Sequence, residues 1–240
     1  MEFEAHIRDW EEMAADPFWA VLTGKRHWEV AEFFATGEAD VRNLLGIADR
    51  LGLLKDSRAR ALDFGCGVGR ITRQLARHFE ECYGVDVSKQ MLEIAAKYNP
   101  SCRFHLNLRK DLSDFPDSHF DLVYTVIVLQ HQPNREVIES YLREFIRVLR
   151  PQGLLAFHLP SKMPFRYRLA PRRRVYKLLH AAGVGPERLR QWRLFPMKMT
   201  AVPQKRVMSV IRSSGGRLLL AEPHSGSGPI PSIMYYCTRD

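Results

Sequence analysis

The sequence predicts an α/β fold built on a mainly parallel sheet, and three observations carry that expectation. Beyond residue 60, short apolar runs alternate with stretches of helical period, the signature of βαβ units. The first run, Ala61-Leu62-Asp63-Phe64, passes directly into Gly65-Cys66-Gly67-Val68-Gly69 and then into a helical stretch, where an open α/β sheet binds nucleotides. The last two runs follow one another without a helix between them, which implies an antiparallel closing pair.

Residues 1–58 read as a helical N-terminal cap and 59–240 as the α/β domain. In the cap, Val41, Leu44, Leu45, Ala48 and Leu51 recur at steps of three and four, one stripe of an amphipathic helix that begins near Thr36 and stops at Gly52. Upstream, Trp10, Phe18, Trp19, Trp28, Phe33 and Phe34 supply rings that pack the cap onto the domain, line a substrate cavity, or do both. Strands are expected over Ala61 to Phe64, Cys82 to Val85, Cys102 to Leu106, Phe120 to Ile127 and Gly153 to Leu159. Helices are expected at Arg70 to Phe79, Ser88 to Tyr98 and Arg135 to Leu149, the last ended by Pro151 and Gly153. A helix from Pro203 to Ser213 then leads to strands at Arg217 to Glu222 and Ile233 to Thr238, joined by the Gly/Pro/Ser-rich Pro223 to Pro231.

Composition narrows the class. At 240 residues the chain can bury a full core, and its 45% hydrophobic and 26% charged shares are those of a globular protein. No stretch reaches the roughly 20 apolar residues of a bilayer span, and the acidic Met1-Glu2-Phe3-Glu4 start lacks the order of a secretory signal, so a cytoplasmic address is expected. Cys66, Cys82, Cys102 and Cys237 are scattered without metal-ligand spacing, so reduced thiols are expected and no metal. The net charge of +9 is strongly local. Residues 161–212 hold 14 Lys/Arg against the single acid Glu187, a net +13 that leaves −4 for the rest of the chain.

The glycine run needs a second observation to become specific. Asp86, at the end of the second strand and 21 positions after Gly65, can accept both hydroxyls of an adenosine ribose. Two details then separate the alternatives. A dinucleotide fingerprint wants a third glycine where Arg70 stands, which disfavours a nicotinamide-dependent oxidoreductase. Asp63, two residues before the first glycine, would repel a pyrophosphate but suits a positively charged cofactor tail, held directly or through water. Asp63 to Gly69 resembles the D/E-x-G-x-G-x-G motif of the class I S-adenosylmethionine-dependent methyltransferases. Tyr83 to Leu92, Phe120 to Tyr124 and Arg147 to Leu155 resemble later motifs of that family, over residues 58–160 and again 203–238.

The resemblance implies a Rossmann-like sheet of order 3-2-1-4-5-7-6 with strand seven antiparallel, and S-adenosylmethionine as cofactor with S-adenosylhomocysteine as product. It implies Asp86 as the ribose ligand, Val87 and Met91 beside the adenine, and Asp63, Gly65, Cys66, Gly67, Gly69 and Thr125 around the remainder. After the third strand, where the family commonly has an acid for the adenine amino group, this chain has Asn107-Leu108-Arg109. Asp111, displaced in register, and Asn107 with Leu108 and backbone groups are the alternatives there.

A sulfonium methyl is already activated, so catalysis consists mainly of positioning and excluding water. A hydroxyl acceptor also benefits from a general base, and two histidines lie at the sheet's carboxyl edge. His131 is in Leu129-Gln130-His131-Gln132-Pro133, the loop beside the methyl group in the resembling family, and His158 closes the fifth strand. Each is a candidate for base or acceptor contact, with a helix-start or strand-end structural role as the alternative. Thr125-Val126-Ile127-Val128 stands where adenine-base methylases carry Asn/Asp-Pro-Pro-Tyr/Phe, and no cysteine in that loop offers a thiol-adduct mechanism.

Residues 161–200 interrupt the path from the fifth strand to the next helix and read as a lid over the acceptor site. In it, Val175, Leu178, Leu179 and Ala182 can pack inward with arginines outward. An anionic small molecule, nucleic acid or an anionic membrane surface would each answer the charge of 161–212. The expected function is methyl transfer to a small molecule at oxygen, on a natural product, sugar or lipid-linked substrate. An RNA-modifying methyltransferase and a non-catalytic cofactor-binding module are the alternatives.

Overall fold

The computed structural model describes residues 2–240 except 24, 26, 56, 169 and 225–229, so the centre of the Pro223 to Pro231 joint lies outside the described residues. The strands are β1 (Arg60–Phe64), β2 (Glu81–Asp86), β3 (Arg103–Leu106), β4 (Phe120–Thr125), β5 (Leu149–Pro160), β6 (Gly216–His224) and β7 (Ser232–Arg239). They form one sheet of order β3-β2-β1-β4-β5-β7-β6, parallel throughout except for β7, which is antiparallel to β5 and β6. This is the order and the polarity that the motifs imply.

The helices are α1 (Glu2–Met13), α2 (Pro17–Val21), α3 (Val30–Arg50), α4 (Arg70–Leu75), α5 (Lys89–Tyr98), α6 (Arg135–Val148), α7 (Phe165–Arg168), α8 (Pro171–Ala181), α9 (Pro186–Gln191) and α10 (Gln204–Ser213). Side-chain caps start two of them: Ser88 Oγ accepts from the Met91 amide at 3.2 Å, and Asn134 Oδ1 from the Val137 amide at 3.0 Å. Both faces of the sheet are covered. On one, Val41, Leu44 and Ala48 of α3 share a core with Ala61, Leu75, Leu122 and Tyr124. On the other, Phe64, Phe157 and Tyr235 pack with Tyr141, Phe145 and Ile146 of α6 and with Val210 and Ile211 of α10. The α3 stripe therefore belongs to the layer that covers the sheet. The cap proper is the aromatic cluster of Met13, Phe33 and Phe34 with Phe18, Trp19 and Trp28 against Met91.

Several boundaries differ from the sequence expectation, each for a local reason. α3 starts six residues before Thr36, whose hydroxyl donates back to the Phe33 carbonyl at 2.6 Å from within the helix instead of capping it. β4 stops at Thr125 because the chain turns at Ile127, φ 63°, into a 3₁₀ turn over Leu129–His131. A β-branched residue there is strained, and the turn redirects the loop across the carboxyl edge of the sheet. β5 begins at Leu149, ahead of Gly153, through a bulged pairing with Phe120.

The inward face of α8 is the reverse of the expected one. Tyr176 is buried and its hydroxyl donates to Glu12 Oε1 at 2.6 Å, fixing α8 to α1. Leu178 is 72% exposed and Val175 42% exposed. Among the described residues no helix is long and apolar enough to cross a membrane.

Candidate cofactor and acceptor site

A chamber of about 550 Å³ opens at the carboxyl ends of β1, β2 and β4. Its floor is the turn after β1. Gly65 has φ 75°, and a Cβ there would lie 2.4 Å from the Val128 side chain across the chamber wall. Gly67 has φ 53°, and a Cβ there would meet Val21 at 2.7 Å. No L side chain fits at either position, so backbone itself forms this wall.

Asp86, at the tip of β2, is aimed into the chamber by two amides. Its Oδ2 accepts from Gly67 N–H at 2.8 Å and its Oδ1 from Ser88 N–H at 3.0 Å. Burial raises its carboxyl above the ordinary range, and the two amides oppose that shift. Each oxygen keeps a lone pair for a ligand hydroxyl. Val87, Met91 and Asn107 line the adjoining wall. The Asn107 amide is engaged in its own loop: Nδ2 donates to the Asp111 carbonyl at 3.0 Å and Oδ1 accepts from Arg109 N–H at 2.9 Å. Asp111 turns instead to Ser113, whose hydroxyl donates to its Oδ1 at 2.8 Å.

Other expected residues lie behind or outside the chamber wall. Asp63 is buried one layer below the glycine turn, where Thr72 Oγ1 donates to its Oδ2 at 2.6 Å and burial pushes its carboxyl up to about 6. Cys66 is buried against Gly84, and burial pushes its thiol up. Gly69 caps α4 in the left-handed region with φ 81°. Thr125 is buried at the end of β4, its hydroxyl without a hydrogen-bond partner among the described residues. Leu108 faces solvent at 52% exposure. Arg70 pairs with Asp40 at 2.7 Å, so a guanidinium fills the start of α4 where a dinucleotide fold needs glycine.

The position of Asp63 gives a pH prediction. Its charge reaches the chamber through the glycine backbone, and lowering the pH from 7.5 to 5 protonates it in the folded protein. Affinity for a cationic cofactor tail should fall several-fold with an inflection near pH 6, and Asp63→Asn should remove that inflection. Titration calorimetry across the pH series checks both.

The second wall comes from the loop after β4. His131 Nδ1 donates to the Lys198 carbonyl at 3.3 Å, and its Nε2 accepts from the Gln130 side-chain amide at 3.1 Å. That pairing keeps Nε2 unprotonated, and burial pushes the ring down to about 4. His158 lies elsewhere, fully buried in β5 with its ring 4.5 Å from that of His224. Burial and the neighbouring His224 push it down to about 3.

Sequence reasoning did not identify several residues that complete the chamber. Gln132 is buried on its wall with its side-chain oxygen lacking a partner among the described residues. His6 and Trp10 of α1 close one side, the Trp10 ring 5.5 Å from that of His131. Phe195, Met197 and Met199, from the end of the insert, close the other. Two of these carried a signal: Gln132 by its place in the loop after β4, and Trp10 as one of the N-terminal rings expected to pack the cap or line a cavity.

Residues 62–157 match the family described as a methyltransferase domain. Methyltransferase GfsG of Streptomyces halstedii is 29% identical over 164 residues, 64% of this chain and 57% of its own length. Trans-aconitate 2-methyltransferase of Deinococcus radiodurans is 37% identical over 106 residues, 43% of this chain and 38% of its own. The crystal structure of magnesium protoporphyrin IX methyltransferase from Synechocystis PCC 6803 with bound SAH shares the fold with a TM-score of 0.67 at 17% identity, over 100% of both chains. The chain spans about half the length of the curated relatives it matches.

The residues present fit S-adenosylmethionine. The glycine turn leaves room for a ligand against backbone, Asp86 offers both oxygens to ribose hydroxyls, Val87 and Met91 offer apolar surface to a base, and the buried Gln132 oxygen awaits a donor.

Proposed function

We propose that this chain, whose residues 62–157 match a methyltransferase-domain family, is a class I S-adenosylmethionine-dependent methyltransferase and methylates a small-molecule acceptor at oxygen. The cofactor supplies an activated methyl group; the protein supplies position, a largely apolar chamber and a place for the acceptor's proton. The observation that carries the reading is the polar pair His131 and Gln132 on an otherwise apolar wall of Trp10, Val128, Met197 and Met199, facing the Gly65–Gly67–Asp86 cradle.

An acceptor hydroxyl at this wall takes the place of the Gln130 amide on His131 Nε2 and donates to it. Because burial holds that ring near 4, His131 is neutral at pH 7 but a weak base. It orients the hydroxyl's lone pair and receives its proton late, as the bond forms. The acid limb of the kcat profile should therefore stay flat through pH 6, and an inflection at 6.5 would argue against this role.

A second feature bears on the acceptor's charge. Arg173 and Lys177 of α8 and Lys198 line two hollows of about 330 and 710 Å³ that adjoin the chamber at His131, Met197 and Met199. Asp9 and Glu2 face the smaller hollow, and the larger one adds Arg135, Lys162 and Arg174 with the single acid Glu136, so cations outnumber acids in both. This supports an acceptor whose carboxylate or phosphate rests on α8 while its reacting end enters the chamber. The Deinococcus radiodurans relative is named for such a carboxylate, trans-aconitate.

The test is a methyl-transfer screen with labelled cofactor over small phenols, carboxylic acids, sugar phosphates and transfer RNA. For an anionic acceptor, Lys177→Glu should raise KM roughly tenfold or more with kcat little changed, the mark of lost uniform binding. Turnover on RNA alone would replace this reading with the RNA-modifying one, and cofactor binding without any turnover would favour the non-catalytic module.

A further inference from the structure

We propose that the insert docks the protein onto an anionic lipid surface, with the outer face of α8 entering the head-group layer. The proposal goes beyond methyl transfer and does not depend on it.

It starts from the reversed helix. With Tyr176 turned inward to Glu12, helical geometry puts Val175, Leu178 and Ala182 on the opposite side, toward solvent. All three are exposed. Seven large apolar side chains are exposed among the described residues, and five of them belong to this insert: Phe165 (74%), Tyr167, Val175, Leu178 (72%) and Trp192. On α8 itself Val175 and Leu178 form an exposed apolar stripe, Phe165 and Trp192 add exposed rings in the same insert, and a group of exposed apolar side chains of this kind marks a docking surface.

Charge decides the occupant. The stripe lies in the segment of net charge +13, and Arg172, Arg188 and Arg193 form no ion pair among the described residues. Arg188 lies over the Trp192 ring at 5.5 Å, an aromatic and a cation side by side as at a membrane interface. Arginines beside aliphatic and aromatic side chains match anionic head groups above acyl chains. A nucleic acid would answer the arginines and stack on Phe165 or Trp192, but it offers nothing to cover Leu178 and Val175. A second copy of the chain would bring its own unpaired arginines against these.

The cations on the inner side of the same helix are separate. Arg173 and Lys177 line the hollows next to the chamber. One helix thus presents two faces, an inner one to the acceptor and an outer one to the bilayer, and Phe195, Met197 and Met199 at the end of the same insert form part of the chamber wall.

The experiment is co-sedimentation of the full chain with vesicles of phosphatidylglycerol and of phosphatidylcholine, at 50 and 200 mM salt. The expected result is partition onto phosphatidylglycerol only, weakened but not abolished by salt, and reduced at least tenfold by Leu178→Glu. Phe165→Ser provides a second, independent loss. Both positions are exposed, so cofactor affinity should be unchanged in each variant, which separates this proposal from the reading of the chamber. No partition onto phosphatidylglycerol overturns the proposal, as does partition equal in wild type and Leu178→Glu. Micromolar self-association that Leu178→Glu breaks would assign the face to a second copy, and capture of RNA in preference to vesicles would assign it to nucleic acid; either overturns it.

Discussion

Asp86→Ala should weaken S-adenosylmethionine binding by about 1.5 to 3 kcal/mol, roughly 10- to 150-fold in Kd. The carboxylate is the one charged group on the chamber wall aimed by two backbone amides, at 2.8 Å from Gly67 N and 3.0 Å from Ser88 N. Truncation removes charge-assisted bonds to the ribose hydroxyls and also leaves those two amides without their acceptor. Part of the loss is therefore disorganisation of the glycine turn. Asp86→Asn keeps the shape and one carbonyl acceptor, so it should fall between wild type and alanine. Calorimetric titration of the three proteins checks the order, and unchanged affinity in the alanine variant would remove Asp86 from the site.

The second large effect is on stability at low pH. His6 and His131 are pushed down to about 4 and His158 to about 3, with burial the main cause in each. A depressed histidine is neutral in the fold while its unfolded counterpart takes up a proton near 6.5, so stability is full above that pH and is lost as pH falls toward the folded values. At pH 5 the unfolded state gains about 2 kcal/mol at each of His6 and His158, and less at His131, which borders the open chamber. The total is comparable to the 5 to 15 kcal/mol that holds a domain of this kind together. Asp63 acts in the opposite direction. Its raised carboxyl costs stability as pH rises between about 4 and 6, so acidification restores that share. The thermal midpoint should therefore drop steeply between pH 7 and 5, and His158→Gln, fully buried in β5 and outside the chamber lining, should flatten that slope whatever it does at pH 7. Parallel slopes for the two proteins would contradict the assignment.

The parallel half of the sheet was legible because each strand is a short apolar run bounded by turn chemistry, and the glycine run fixed where the first βα turn lies. The cofactor cradle was legible for the same reason: Gly65, Gly67 and Asp86 act through backbone and a strand tip, both local features. The rest depends on contacts between distant parts of the chain. His6 and Trp10 meet His131 across more than 120 positions, and no local pattern records that approach. On α8 the apolar stripe was visible but not its direction, because the inward face is chosen by Tyr176 and Glu12, 164 positions apart. Asn107 stood at the right place after β3, yet its amide is engaged by Arg109 and Asp111, a loop arrangement that residue identity does not specify.

The chamber as an S-adenosylmethionine site is the claim from which the rest follows. Parallel calorimetric titrations of the full chain with S-adenosylmethionine, S-adenosylhomocysteine and NADH test it most directly. Binding of the first two with no heat from NADH is the predicted result; binding of NADH alone would contradict the assignment of the Gly65–Gly67–Asp86 cradle and the acceptor site built beside it.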